Sequence, residues 1–140
     1  MATLKVEIVT PEAALWTGDA AGLMARSSEG EFTILPQHTA TVGDIVPGLV
    51  RVATSSGELA FCVHGGYFQV GADEEPGVTR ATVLAGIAER VSEIDVARAQ
   101  LAKETAEAQL TSTADLDEAT RAQLLGSLAR AELRLRVAAR

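Results

Sequence analysis

Apolar and polar residues alternate from Thr3 to Thr10, placing Leu4, Val6 and Ile8 two residues apart. A period of two is the mark of a strand with one buried face. Pro11 ends that strand, and Leu15-Trp16 leads to Gly18-Asp19, which reads as a turn. Further strands are predicted at Gly22–Ser28, Phe32–Leu35, Val42–Val46, Leu49–Ala53, Leu59–Val63, Tyr67–Val70 and Val78–Ala85, with turn residues between them. Ser28-Glu29-Gly30-Glu31 reads as a hairpin turn and Ala72–Gly77 as an acidic one. Leu59–Val63 is continuously apolar, as in a strand covered on both faces. Eight or more short strands with no intervening helix predict an all-β sandwich or flattened barrel.

From Ser92 the period changes. Ile94, Ala97, Leu101 and Ala108 recur near helical spacing, predicting a first helix from a Ser92 cap to about Leu110. Thr111-Ser112-Thr113 interrupts it. Asp115 and Glu118 read as a capping pair for a second helix running through Leu124, Leu125, Leu128 and Leu135. A short connection between two helices predicts an antiparallel hairpin. Alanines dominate both helices and each buries little area, so the hairpin is expected to be marginal. The fold class is thus an N-terminal sandwich followed by a C-terminal helical hairpin, with domains at 1–88 and 89–140.

Composition sharpens that boundary. All four prolines, all five aromatics and every glycine except Gly126 precede Glu89. Residues 1–88 carry four basic and ten acidic side chains, whereas residues 89–140 carry eight and nine. A net charge of −7 argues against a nucleic-acid partner, whose backbone is bound by basic residues. Cys62, the single cysteine, allows no internal disulfide and reads as a structural thiol suited to a reducing compartment. No apolar run reaches the length of a membrane span, and the N-terminus shows no export signal, so membrane association is expected only through a complex.

Chemistry is sparse. The chain has no Gly-x-Ser-x-Gly elbow, no His-Glu-x-x-His and no phosphate-cradling Gly-x-x-x-x-Gly-Lys loop. His38 and His64 sit in turns with no carboxylate or cysteine at recognised metal spacing, so neither catalysis nor a metal is expected. Gly65-Gly66 reads as a bulge or a close backbone approach. Within the hairpin, a fold about Thr113 would set Asp95 beside Ala131 and Arg98 beside Leu128, with Arg130 and Arg134 nearby. Such a group either holds a polyphosphate through guanidinium forks or forms a solvated ion-pair face.

Four segments, taken together, resemble a known family. They are Ser28–His38, with Glu31, Pro36 and His38; His64-Gly65-Gly66-Tyr67-Phe68-Gln69-Val70; Val83-Leu84-Ala85; and Ile94-Asp95-x-x-Arg98-Ala99. In order and spacing they are similar to the epsilon subunit of bacterial F-type ATP synthase, over essentially the whole chain. The resemblance implies a non-catalytic rotor subunit of the central stalk. Its sandwich would dock on the gamma subunit and the c ring, with Glu31, Pro36 and His38 at the docking surface. Its hairpin would engage the alpha/beta headpiece and inhibit ATP hydrolysis.

The implied location is peripheral, at the cytoplasmic face of the bacterial cell membrane. No cofactor is required, but ATP is a regulatory ligand in some members. The residues matching that ligand set are Glu89, Ile94, Asp95, Arg98, Ala99, Arg130 and Arg134. Thr105 stands where ATP-binding members can have a further arginine, and Thr33 and Gln37 replace family glycines. The alternative reading is a free-standing sandwich that binds a small ligand and dimerises through its hairpin.

Overall fold

A computed structural model describes residues 3–112 and 115–139. The chain divides into two compact units, Met1–Arg90 and Val91–Arg140. The first holds ten strands: β1 (Thr3–Val9), β2 (Ala14–Ala20), β3 (Gly22–Ser27), β4 (Gly30–Ile34), β5 (Thr41–Ile45), β6 (Gly48–Thr54), β7 (Gly57–Val63), β8 (Gly66–Ala72), β9 (Val78–Ala85) and β10 (Ala88–Arg90). They form two five-stranded sheets, ordered β2-β1-β9-β8-β5 and β10-β7-β6-β3-β4. Every pairing is antiparallel except β1 with β9. The second unit holds a 3-10 turn (Val91–Glu93) and two helices, α1 (Val96–Ser112) and α2 (Glu118–Ala138).

The predicted alternation is what builds the sandwich. Leu4, Val6 and Ile8 of β1 are fully buried, and so are Val83 of β9, Val50 and Val52 of β6, and Phe61 and Val63 of β7. Each such side chain contributes roughly 1.5–3 kcal/mol on burial. Phe32 and Phe68 stack with ring centroids 4.4 Å apart, joining an edge strand of one sheet to the other sheet. Beside them, the β3–β4 turn is tied to β5: the Ser28 backbone N–H and hydroxyl both donate to Asp44 at 2.9 Å.

Two local expectations change. Gly18-Asp19 is not a turn but the middle of β2, where Gly18 lets the Trp16 ring lie across the strand. A Cβ at Gly18 would stand 2.7 Å from that ring. Ala88–Arg90 pairs with the end of β7, so the two units divide two residues later than expected. The acidic connection after β8 is the turn expected: Asp73 accepts from the Glu75 N–H at 3.2 Å and from Arg80 Nε at 2.7 Å, and Arg80 also pairs with Glu7. The bond from Arg80 and then that from Glu75 hold the Asp73 carboxyl below its ordinary range. Gly66, likewise, is the expected close approach, since a Cβ there would stand 2.2 Å from the Leu84 carbonyl oxygen.

Gln37 adopts φ +71°, the only non-glycine residue with positive φ among the described residues. Its N–H donates to the Thr79 hydroxyl at 2.8 Å, which holds the turn in that conformation. A side chain with a Cβ is strained there. Gln37→Gly is therefore expected to raise unfolding stability in urea by about 0.5–1 kcal/mol, relief of strain outweighing the added freedom of the unfolded chain. Unchanged or lower stability would show that the turn carries no such strain.

Candidate functional site

The start of α1 is organised differently from the expectation. Ser92 lies inside the 3-10 turn, which closes through Ile94 N–H to the Val91 carbonyl at 3.2 Å. The chain then passes through Ile94 and Asp95 before the helix begins. Asp95 is the cap: its carboxylate accepts the Arg98 N–H at 3.0 Å and its carbonyl accepts the Ala99 N–H at 3.0 Å. A carboxylate suits this place better than a hydroxyl, because it also faces the positive end of the helix dipole. At α2 the shift is similar, with Asp117 rather than Asp115 as the cap, accepting from Thr120 N–H at 2.7 Å. Bonds from the Thr120 hydroxyl and backbone hold the Asp117 carboxyl below its ordinary range.

The buried seam of α1 is also displaced from the predicted stripe. Ala99 and Ala106 are buried, with Lys103 and Leu110 partly buried on the same stripe, whereas Leu101 is 64% exposed. On α2 the matching stripe is Leu124, Leu128, Ala131 and Leu135. Large aliphatic side chains are thus buried mainly on α2, where Leu133 and Val137 are buried as well, while α1 buries alanines. The hairpin tip about Thr113 lies outside the described residues.

Beside the seam is an open groove of about 380 Å³, lined by Arg98, Leu101, Ala102, Thr105, Ala106 and Gln109 of α1 with Leu124 and Ser127 of α2. Of the residues matched to the nucleotide set, Arg98 lines this groove, Asp95 and Ala99 neighbour it in sequence, and Ile94 precedes the cap. Arg130 donates to the Ser127 hydroxyl at 3.3 Å, so the groove's Ser127 and the Arg130 guanidinium adjoin. Arg134 follows one turn along α2, partly buried. Thr105 lines the groove directly and offers a neutral hydroxyl there. Glu89 belongs to β10 in the sandwich, where its carboxylate lies 3.3 Å from His64 Nε2.

The expected docking residues follow one edge of the second sheet. Glu31 of β4 pairs with Arg26 at 3.2 Å, and both are exposed. Pro36 and His38 lie in the turn after β4, where His38 Nδ1 meets the Thr39 carbonyl at 2.8 Å. A second surface escaped the sequence reading. Val42, Tyr67 and Leu84 are exposed on adjacent strands β5, β8 and β9, with Tyr67 directly opposite Leu84 and Asp44 opposite Tyr67. Period-two alternation in three separate strands was its signal, but only the register shows that they meet on one face.

The expectation that His64 has no cysteine or carboxylate partner is corrected. Cys62 Sγ lies 3.6 Å from His64 Nε2, and Glu89 completes a group whose ligand atoms all fall within 4.8 Å of one another. The Cys-x-His spacing was visible as an i, i+2 pair on one strand face; Glu89 required the pairing of β10 with β7.

Comparison with known proteins covers both units. The family model for the ATP synthase delta/epsilon chain beta-sandwich domain matches residues 3–91, and that for the delta/epsilon chain long alpha-helix domain matches residues 92–139. The chain is 39% identical over 141 residues to the ATP synthase epsilon chain of Halalkalibacterium halodurans, covering 100% of both. It is 40% identical over 113 residues to that of Alkalihalophilus pseudofirmus, covering 81% of this chain and 80% of the other. Among solved structures it is similar, at TM-score 0.76 and 26% identity, to a chain in the Euglena gracilis mitochondrial ATP synthase structure of OSCP, F1 and c-ring. That similarity covers 100% of this chain and 83% of the other.

Asp95 and Ser92 make separable predictions. Asp95→Ala is expected to destabilise the helical unit by about 1 kcal/mol and to speed exchange of the Arg98 and Ala99 amides, while Ser92→Ala stays within about 0.5 kcal/mol of the parent. Equal effects in denaturation and hydrogen exchange would contradict the assignment of the cap.

Proposed function

The chain belongs to the ATP synthase delta/epsilon chain family and is a non-catalytic stalk subunit of an F-type ATP synthase; on that premise we propose that its hairpin regulates ATP hydrolysis while its sandwich anchors it in the rotor. The observation that carries this is the agreement between the family's two domains, meeting at residues 91 and 92, and the two compact units of this chain. Family membership displaces the alternative of a free-standing ligand-binding sandwich.

In this reading the sandwich docks on the gamma subunit and the c ring. The exposed face of Val42, Tyr67 and Leu84 offers apolar area of the kind that marks protein contacts, and the Glu31, Pro36 and His38 edge supplies polar ones. The hairpin engages the alpha/beta headpiece, to which α2 brings Arg121, Arg130, Arg134 and Arg136. No helix among the described residues is long and apolar enough to cross a membrane, in keeping with a peripheral subunit of a membrane complex. The proposed side is the cytoplasmic face of a bacterial cell membrane.

ATP is the proposed regulatory ligand of the hairpin. Arg98, with Arg130 and Arg134, would fork onto phosphate oxygens, while the apolar wall of Leu101, Ala102 and Leu124 would take the base. Asp95 and Ile94 hold the start of α1 in place, and the small side chain of Ala99 keeps the helices close. The neutral Thr105 leaves this pocket one cation short of a fuller phosphate clamp.

Two measurements test these roles. In enzyme reconstituted from purified subunits, truncation to residues 1–90 is expected to preserve assembly and to raise ATP hydrolysis several-fold. Hydrolysis equal to that with the full chain would remove the regulatory role. For the ligand, millimolar ATP is expected to raise the melting temperature of the full chain, Arg98→Ala to reduce the rise, and Thr105→Arg to enlarge it. Absence of any ATP-dependent shift in both the parent and Thr105→Arg would overturn nucleotide binding.

A further inference from the structure

Alternation along β7 sends Phe61 and Val63 into the sandwich core, so Cys62 faces the other way. His64 follows two residues later, and its backbone N–H is fixed to the Ile87 carbonyl at 3.0 Å. Directly opposite Cys62, β10 places Glu89. A thiol, an imidazole and a carboxylate are thereby gathered on one face of the second sheet by strand register alone. Cys62 is fully buried, the His64 side chain is 6% exposed and that of Glu89 29%.

We propose that Cys62, His64 and Glu89 form a zinc-binding site. Zinc bonds of about 2.3 Å to sulfur and about 2.0–2.2 Å to nitrogen and oxygen, in a tetrahedron, imply ligand separations of about 3.4–3.6 Å. Two of the three separations match, Sγ 3.6 Å from Nε2 and Nε2 3.3 Å from Oε1; all three atoms lie within 4.8 Å, and the sulfur–carboxylate separation is the one a bound ion would draw in. One nitrogen, Nε2, faces both the sulfur and the carboxylate oxygen.

The donor set selects the metal. Sulfur with nitrogen and oxygen suits Zn²⁺, while Mg²⁺ and Ca²⁺ take oxygen ligands. On binding, the Cys62 thiol gives its proton to solvent and becomes the thiolate ligand, so affinity rises with pH. Glu89, the most exposed of the three, marks the side from which solvent supplies a fourth ligand. The bound ion would fasten the three-residue edge strand β10 to β7. This site rests on the sandwich unit and shares only Glu89 with the residues matched to the nucleotide set.

The test uses the full chain stripped with a chelator and titrated with Co²⁺, then Zn²⁺. Expected are tetrahedral Co²⁺ absorption bands with a thiolate charge-transfer band, a one-to-one endpoint and displacement by one equivalent of Zn²⁺. Cys62→Ser is expected to lose the charge-transfer band, and His64→Gln to lose tetrahedral binding. Changes outside the first coordination sphere already cost about 10–100-fold, so Glu89→Gln is expected to weaken binding by at least about tenfold. Circular dichroism identifies variants that fail to fold, and the charge-transfer band with its loss on Zn²⁺ addition reads the site in the parent chain without any variant. Absence of the charge-transfer band in the parent chain would overturn the proposal. So would parent-like Zn²⁺ affinity in folded Cys62→Ser or His64→Gln.

Discussion

Alanine sets the terms of the helical unit. Where two helices meet through Ala99, Ala106 and Ala131, each buried methyl group contributes about 0.8 kcal/mol, so the three together give only a few kcal/mol. Small side chains permit close backbones but provide little area. Of the larger ones, Leu133 and Val137 of α2 are buried, while Leu101 and Leu125 are half exposed or more. The sandwich is built on the opposite terms, with Leu4, Ile8, Leu23, Ile34 and Phe61 fully buried between its sheets. One chain therefore joins a unit with a large aliphatic core to a smaller one whose buried positions are mostly alanine. The regulatory role proposed for the hairpin calls for that inequality, because a regulatory element must be displaceable by a competing partner.

The junction between the units carries more than connection. Glu89 still belongs to a strand, Ser92 to a 3-10 turn, and Asp95 to a helix cap, so three local geometries follow one another within seven residues. The same few residues are where the proposed ligands converge in sequence: Glu89 on the metal group, Asp95 and Arg98 on the nucleotide groove. Asp95 acts through the backbone, since its carboxylate fixes the Arg98 amide and thereby the place from which the guanidinium departs.

Much of the fold was legible because strand and helix periods are properties of neighbouring residues. β1, β6 and β9 could be read from alternation, and the change of period at Ser92 marked the second unit. What could not be read depended on partners distant in sequence. Gly18 looked like a turn because its purpose, space for the Trp16 ring, becomes visible only in the strand. Ser92 looked like a cap because serine caps well in general, yet the 3-10 turn used it and passed the role to Asp95. Leu101 looked like core because it is a leucine at helical spacing, yet it lies on the exposed side of α1 while Ala99 and Ala106 are buried. The Cys62, His64 and Glu89 group was half legible, its i, i+2 pair in plain view and its carboxylate supplied by a strand too short to predict.

Native-state hydrogen exchange on the full chain addresses the inequality of the two units most directly. Amides in the middle of α1 and α2 are expected to exchange through an opening several kcal/mol below the global unfolding that governs β1, β8 and β9. Exchange of helix and core-strand amides with one common free energy would contradict it, because the hairpin would then open only when the sandwich unfolds.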